Sequence, residues 1–175
     1  MLALAIVRYP IANANIPQRI NLMPSCCKQV REFVDFGKHL HGKLKALFDE
    51  LNEHAQLERV KMLLDFLSRH EEHMEESLAR FEKESRHGIL EAWLEYSPGL
   101  DVNKVMCKFH LSENPSSDEI IQLALDFDDT LVNLYKEVVE KANDSKVKEV
   151  FKNLLQLEEK EKIQVARAAM MLWEM

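Results

Sequence analysis

The second half of this chain repeats its first half at an offset of 87 residues. Between residues 41–79 and 128–166, eleven of the 39 aligned pairs are identical, and most of the others keep their polarity. Two unrelated amphipathic helices would share roughly four or five residues even at their best offset. Each copy has the apolar pattern of a helical hairpin. We therefore predict two hairpins that together form one four-helix bundle.

Apolar residues recur at spacings of three and four along four long segments, as on the buried face of a helix. The predicted helices span about residues 25–55, 58–96, 117–142 and 145–173. The second helix is expected to kink near Gly88 and to stop at Ser97-Pro98-Gly99. Short turns make the two helices of each hairpin antiparallel, whereas residues 97–116 form a long crossover connection.

Composition narrows the class of protein. Four Gly and five Pro beside 46% apolar residues favour long helices over many turns. A net charge of −7 argues against nucleic acid or an anionic membrane as the partner. The longest apolar stretch is shorter than the ~20 residues that span a bilayer. Three cysteines, two of them adjacent, form no disulfide framework, so we expect a cytoplasmic protein.

The first 24 residues differ from the rest of the chain. They hold three of the five prolines and no helical period. Their apolar run is short and contains Arg8, which is not typical of a signal peptide. Residues 1–24 are interpreted as a flexible tail; the alternative is that translation begins at Met23, which would leave residues 1–22 untranslated. The predicted folded domain is 25–175.

Five ionisable side chains fall on the apolar stripes, at positions that hydrophobic residues normally occupy in the core of a helical bundle. They are His41 on the first helix, Glu71 on the second, Asp128 on the third, and Glu158 and Glu161 on the fourth. Burying an ionised carboxylate without a partner costs several kcal/mol. Four acids with one histidine therefore need a bound metal, shared protons, or Lys and Arg side chains that reach inward.

This pattern resembles the ferritin-like superfamily, particularly its rubrerythrin-like branch, over roughly residues 28–172. In that family two half-sites hold two metal ions, and each half-site combines a Glu with a Glu-x-x-His from the next helix. The resemblance implies that Glu71 and Glu158 are the bridging carboxylates. It places His41 and Asp128 where the family has a terminal Glu, and Met74 and Glu161 where it has His.

The ligand set departs from the family at four of these six positions. Imidazole and carboxylate still bind Fe, Mn or Zn, but the thioether of Met74 is a poor ligand for a hard ion. A standard di-iron oxidase site is therefore not what the sequence encodes. Three alternatives remain: a site with altered metal preference, a site with one remaining metal, and a metal-free acidic core.

Two further histidines, His70 and His73, have the spacing of three residues that puts them on one face of the second helix. Both are interpreted as side chains at the solvated edge of the bundle, with a role as substitute metal ligands as the alternative. Tyr135 is predicted to point inward near Asp128. Trp93 and the segment 170–173 are expected to close the bundle ends or to contact a second subunit in a homodimer.

Two classes of function follow. The first is a divergent ferritin-like protein that binds Fe, Mn or Zn in the bundle core and acts in oxidative-stress or metal handling. If such a protein were an enzyme, it would be a metal-dependent oxidoreductase. The second is a metal-free helical-bundle scaffold that keeps the fold and a vestigial acidic core. Neither class requires an organic cofactor, since no Gly-rich phosphate loop is present.

Overall fold

Two helical hairpins joined by a long connection make up the fold. The computed structural model describes residues 27–85, 88–95, 98–109, 111–112 and 114–173, with side chains as far as residue 171. Its helices are α1 (Val30–His54), α2 (Glu58–Glu84), α3 (Val102–Met106), α4 (Ser117–Lys141) and α5 (Ser145–Trp173), and its two short strands are β1 (Lys28–Gln29) and β2 (Trp93–Leu94). Helix α1 packs along α2, and α4 packs along α5. The tail 1–24, the predicted helix start at Ser25, His87, Tyr96, Ser97 and His110 lie outside the described residues.

The helix boundaries follow the sequence repeat. Helix α4 begins and ends 87 residues after α1, and α5 begins 87 residues after α2. The caps that end α1 and α4 have nearly the same backbone angles, with φ −63° and ψ 132° at Ala55 and φ −63° and ψ 138° at Ala142. Val60 and Val147 are both buried in the first turn of the second helix of their hairpin. The prediction of two repeated hairpins is confirmed.

The second helix is shorter than predicted. It ends at Glu84, not at residue 96, and Ser85 closes it with two hydrogen bonds to the Phe81 carbonyl, from its amide at 2.9 Å and its Oγ at 2.7 Å. Gly88 then has a φ of 101°, which a right-handed helix cannot include. The kink expected near Gly88 is therefore a full break in the helix.

The chain after this break returns to the start of α1. Strand β2 pairs with β1 in an antiparallel arrangement. The carbonyls of Leu90 and Ala92 accept hydrogen bonds from the amides of Arg31 and Val30, at 2.9 and 3.1 Å. The first amides of a helix have no acceptor within the helix. Residues 90–94 therefore cap α1 and fix the position of its first turn.

The crossover connection leads to a well-defined start of α4. Ser116 and Glu119 form a capping box: the Ser116 amide donates to Glu119 Oε2 at 2.8 Å, and the Glu119 amide donates to Ser116 Oγ at 3.2 Å. Within the connection, α3 buries Val105, and Phe109 stacks on Phe127 of α4 with ring centroids 4.2 Å apart. The connection thus packs on the bundle as part of its core.

The core lies between the four long helices. Most residues predicted to face inward are buried, and Phe33 of α1 meets Phe151 of α5 edge to face with centroids 5.4 Å apart. The apolar spacing also places Leu47, Leu51, Phe81 and Ala168 on the inward stripes, but these four side chains are only half-buried. Among the described residues, no helix has both the length and the apolar character needed to cross a bilayer.

Candidate metal centre

All five ionisable side chains predicted in the core are buried. Their exposed fractions are 3% for His41, 1% for Glu71, 3% for Asp128, 1% for Glu158 and 4% for Glu161. They come from α1, α2, α4 and α5. Each is buried because it occupies the inward stripe of its helix. The four long helices thus all contribute to one polar cluster inside an apolar core.

His41 bridges the two equivalent glutamates. Its Nδ1 lies 2.7 Å from Glu71 Oε2, and its Nε2 lies 3.4 Å from Glu158 Oε1. Burial alone would lower the pKa of His41, but attraction to Glu158 and hydrogen bonds to Glu158 and Glu71 raise it well above its usual value. A doubly protonated imidazole can donate from both nitrogens, which suits two carboxylate acceptors. His41 is therefore a cation inside the bundle.

One histidine does not neutralise this cluster. Burial, followed by repulsion from Glu71 and Glu158, raises the pKa of Asp128 to about 8. Burial also raises the pKa of Glu71, although the hydrogen bond from His41 opposes that shift. Without another cation, Asp128 consequently keeps its proton at neutral pH.

Three carboxylate oxygens in the cluster have no hydrogen-bond donor. They are Glu71 Oε1, Asp128 Oδ2 and Glu158 Oε2, one each from α2, α4 and α5. A buried polar atom without a partner costs about 1–3 kcal/mol, and more when the group is charged. Most buried polar groups in native proteins are satisfied, so three such oxygens in one cluster require an explanation.

Tyr135 lies beside the cluster but is not hydrogen-bonded to it. Its side chain is fully buried, and its hydroxyl has no hydrogen-bond partner. Burial and then the charge of Glu158 raise its pKa well above the usual value. A Cβ at Gly37 would lie 2.7 Å from the Tyr135 hydroxyl oxygen. Only glycine at position 37 therefore leaves room for this ring.

The interpretation of His70 as a solvated side chain is wrong, since only 8% of it is exposed. Its Nδ1 lies 3.6 Å from Glu161 Oε2, and its ring stacks on Phe66. Burial, and then repulsion from His41 and His73, lowers the pKa of His70 to about 4. The other oxygen of Glu161 accepts a hydrogen bond from Gln164 at 3.2 Å. Glu161 is thus engaged by His70 and Gln164 at the edge of the cluster.

The signal for His70 was present in the sequence. It continues a second stripe of α2 at spacings of four, three and four residues, formed with Leu63, Leu67 and Met74, all of which are buried. His73, by contrast, is exposed as interpreted. Helix α2 buries two adjacent stripes because it packs against more than one neighbour.

The donor atoms suit one metal ion better than two. Met74 is fully buried at the position where the family resemblance implies a histidine ligand, and His41 lies between the two glutamates. The three unsatisfied oxygens are carboxylate oxygens, the donor type that hard cations prefer. Within the described ranges, no three His, Cys, Asp or Glu side chains are already arranged as a metal site. A bound ion would therefore require these carboxylates to turn towards it.

Comparison with known proteins adds evidence on the fold. No protein-family model matches the chain, and no curated protein matches it by sequence. A crystal structure from Thermotoga maritima, described as a candidate ferritin-like diiron-carboxylate protein, is similar with a TM-score of 0.52 and 16% sequence identity. The match covers 81% of this chain and 95% of that chain. The fold is ferritin-like. The predicted all-α, ferritin-like bundle is confirmed.

Proposed function

We propose that this ferritin-like bundle is a metal-binding protein that holds one divalent transition metal ion, Fe, Mn or Zn, in its core. Glu71, Asp128 and Glu158 would be the ligands. The observation that supports this proposal is the set of three buried carboxylate oxygens without a donor, one from each of three helices. A cation between them would satisfy all three and would offset the negative charge that His41 leaves uncompensated.

The physiological role we propose is metal handling or defence against oxidative stress, within the rubrerythrin-like branch of the ferritin-like proteins. The register of Glu71 and Glu158 at equivalent positions of the repeat supports this branch. A bound transition metal would supply Lewis-acid or redox chemistry. The chain's own residues would bind the ion, exclude water from it, and release the Asp128 proton when it binds.

A double variant tests the proposal. Replacing Glu71 and Glu158 together with Gln should abolish metal binding after incubation with Fe, Mn or Zn, and should lower the melting temperature of the metal-loaded protein, because binding energy adds to stability. The matched control replaces Glu72 and Glu159 with Gln. These exposed neighbours occupy equivalent repeat positions and give the same change in charge. The control should bind metal like the wild type.

A metal-free scaffold is the second candidate function. The observation that favours it is the contact of His41 with both glutamates, which gives the acids an internal counter-ion. In that case the wild type stays at background metal content. The wild type and the double Glu71→Gln, Glu158→Gln variant then each have the same melting temperature with and without added metal, because no binding energy contributes to their stability. This pair of results would contradict the metal-binding proposal.

A further inference from the structure

The two halves of the cluster differ although the backbone that presents them repeats. Under the 87-residue offset, Asp128, Glu158 and Glu161 of the second hairpin correspond to positions 41, 71 and 74 of the first. The first hairpin has His41 and Met74 at two of these positions, and all are buried. The repeat thus presents two equivalent half-sites, and only one of them consists of acids.

His41 uses one oxygen of each glutamate. It contacts Glu71 Oε2 at 2.7 Å and Glu158 Oε1 at 3.4 Å. The other oxygen of each glutamate has no partner, and neither has Asp128 Oδ2. The imidazole ring thus occupies the space between the two carboxylates on one side. The unpartnered oxygens are what remains to bind a ligand.

We propose that His41 takes the place of one of the two metal ions that the repeated backbone would otherwise hold. The core then binds a single ion through oxygen ligands only, from Glu71, Asp128 and Glu158. This inference rests on the proposed metal-binding function and specifies its stoichiometry and coordination. His41 is then a positioning residue that orients Glu71 and Glu158, not a ligand.

The contacts of the neighbouring side chains support a single site. Met74 offers only a thioether, which is a poor ligand for a hard cation. Glu161 is occupied by Gln164 and lies beside His70. Asp128, in contrast, is 3% exposed with an oxygen that nothing in the cluster satisfies. The second half-site therefore contributes a free ligand, and the first contributes a histidine that is already engaged.

Oxygen-only coordination indicates the ion to use as a probe. Carboxylate ligands suit Mn²⁺, Mg²⁺ and Ca²⁺, and among these Mn²⁺ has an electron paramagnetic resonance signal. Equilibrium dialysis of the wild type against Mn²⁺ should give one ion per chain. Pulsed resonance measurements on that ion should show no coupling from a directly bound histidine nitrogen.

Two variants test the role of His41. Replacing His41 with Asp and Met74 with Glu gives the first half-site the residues of the second, and this double variant should bind two Mn²⁺ with a spectrum of two coupled ions. Replacing His41 with Gln should leave one ion per chain and weaken its binding about 10–100-fold, the usual effect of losing a group that orients the ligands. The spectrum of that ion should stay that of an isolated, oxygen-ligated Mn²⁺.

The number of bound ions and the nitrogen coupling distinguish the inference from the proposed metal-binding function. Two ions per wild-type chain, or a bound-nitrogen coupling that disappears in His41→Gln, would overturn the inference and leave the metal-binding function intact. A folded His41→Asp, Met74→Glu variant that binds only one ion would also overturn it. If that variant does not fold, the wild-type stoichiometry and nitrogen coupling decide. No bound ion in the wild type would overturn the inference and the proposed function together.

Discussion

His41 determines the electrostatics of the core at the scale of single residues. It is 3% exposed and contacts two carboxylates that are each 1% exposed. A buried ion pair adds little net stability, but removing one partner leaves the other charge uncompensated. The integrity of the metal-free core should consequently depend on this side chain more than on any charge at the surface.

The first prediction removes that charge. Replacing His41 with Leu should lower the free energy of unfolding of the metal-free protein by about 3–5 kcal/mol, because Glu71 and Glu158 lose their shared donor. Urea unfolding in the presence of a chelator measures this change. His73→Leu is the control, since His73 is exposed, and it should stay within about 0.5 kcal/mol of the wild type. Equal stability of both variants would contradict the assigned role.

The second prediction concerns pH. In the fold, burial and then repulsion from Glu71 and Glu158 raise the pKa of Asp128 to about 8, although attraction to His41 and Lys162 opposes this shift. Its unfolded value is about 4, so its contribution to stability is complete below pH 4 and is lost as pH rises to 8. Because the pKa of His41 is also raised, its contribution to stability likewise decreases as the pH rises above about 6.5, the usual pKa of histidine. The metal-free protein should therefore lose stability between pH 5.5 and 8.5.

Urea unfolding with a chelator at both pH values checks this dependence. The slope contributed by Asp128 cannot exceed about 1.4 kcal/mol per pH unit, the limit for one proton. Asp128→Asn should remove that part of the slope. The metal-loaded wild type should behave oppositely and gain stability with rising pH, because the ion competes with protons for the carboxylates. If the free energy of unfolding of the metal-free protein rose between pH 5.5 and 8.5, the placement of Asp128 in the buried cluster would be refuted.

At the scale of elements, the sequence predicted helix boundaries well where the repeat and the capping or turn residues indicate the same position. The boundaries of α4 and the start of α5 follow from the capping box and from the turn after Ala142. The end of α2 was missed because apolar spacing continues past Glu84. Leu90 and Leu94 are indeed buried, but they belong to the segment that caps α1. Apolar periodicity predicts which residues are buried, but it does not predict whether they belong to a helix, a strand or a loop.

A third prediction tests the contact between α1 and α4. A Cβ at Gly37 would lie 2.7 Å from the Tyr135 hydroxyl and 3.0 Å from Leu78 Cδ1, both in fully buried side chains. Gly37→Ala should therefore destabilise the protein by about 1–3 kcal/mol, the usual cost of overpacking. Thermal or urea unfolding measures the loss. Tyr135→Phe in the same chain should restore part of it, since the obstructing oxygen is removed.

Gly42 of the same helix is the matched control. A Cβ there would lie 3.1 Å from Glu75 Oε2, the end of a flexible and partly exposed side chain. Glu75 can move away, and Ala is the better helix former by up to about 1 kcal/mol. Gly42→Ala should be neutral or stabilising. If Gly37→Ala and Gly42→Ala had the same effect, the close approach of Tyr135 to α1 would be disproved.

At the scale of the whole molecule, the repeat predicted both the bundle and the depth of the five ionisable residues. It could not predict their partners. Spacing along a helix predicts how far along the bundle axis a side chain lies. It predicts neither the rotamer that brings His41 into contact with Glu71 nor the lateral placement that brings Glu161 beside His70. The spacing on α2 shows the stripe that contains His70, but the burial of this stripe together with the stripe that contains Glu71 depends on how the two hairpins pack.

A fourth prediction concerns assembly. We propose a homodimer that covers the outer face of α5, where Ile163 and Met170 are 52% and 67% exposed. They are seven residues apart and so lie on one face of the helix. Light scattering should give the mass of two chains for the wild type and of one chain after both residues are replaced with Glu. A monomeric wild type would contradict the proposal.

The proposed function depends most on whether the buried acids hold a metal ion. Elemental analysis of the wild-type protein, purified without added metal and without chelator, tests this directly. We expect close to one transition metal ion per chain, and background metal in the Glu71→Gln, Glu158→Gln variant prepared in parallel. Background metal in both preparations, unchanged after incubation with Fe, Mn and Zn, would contradict it.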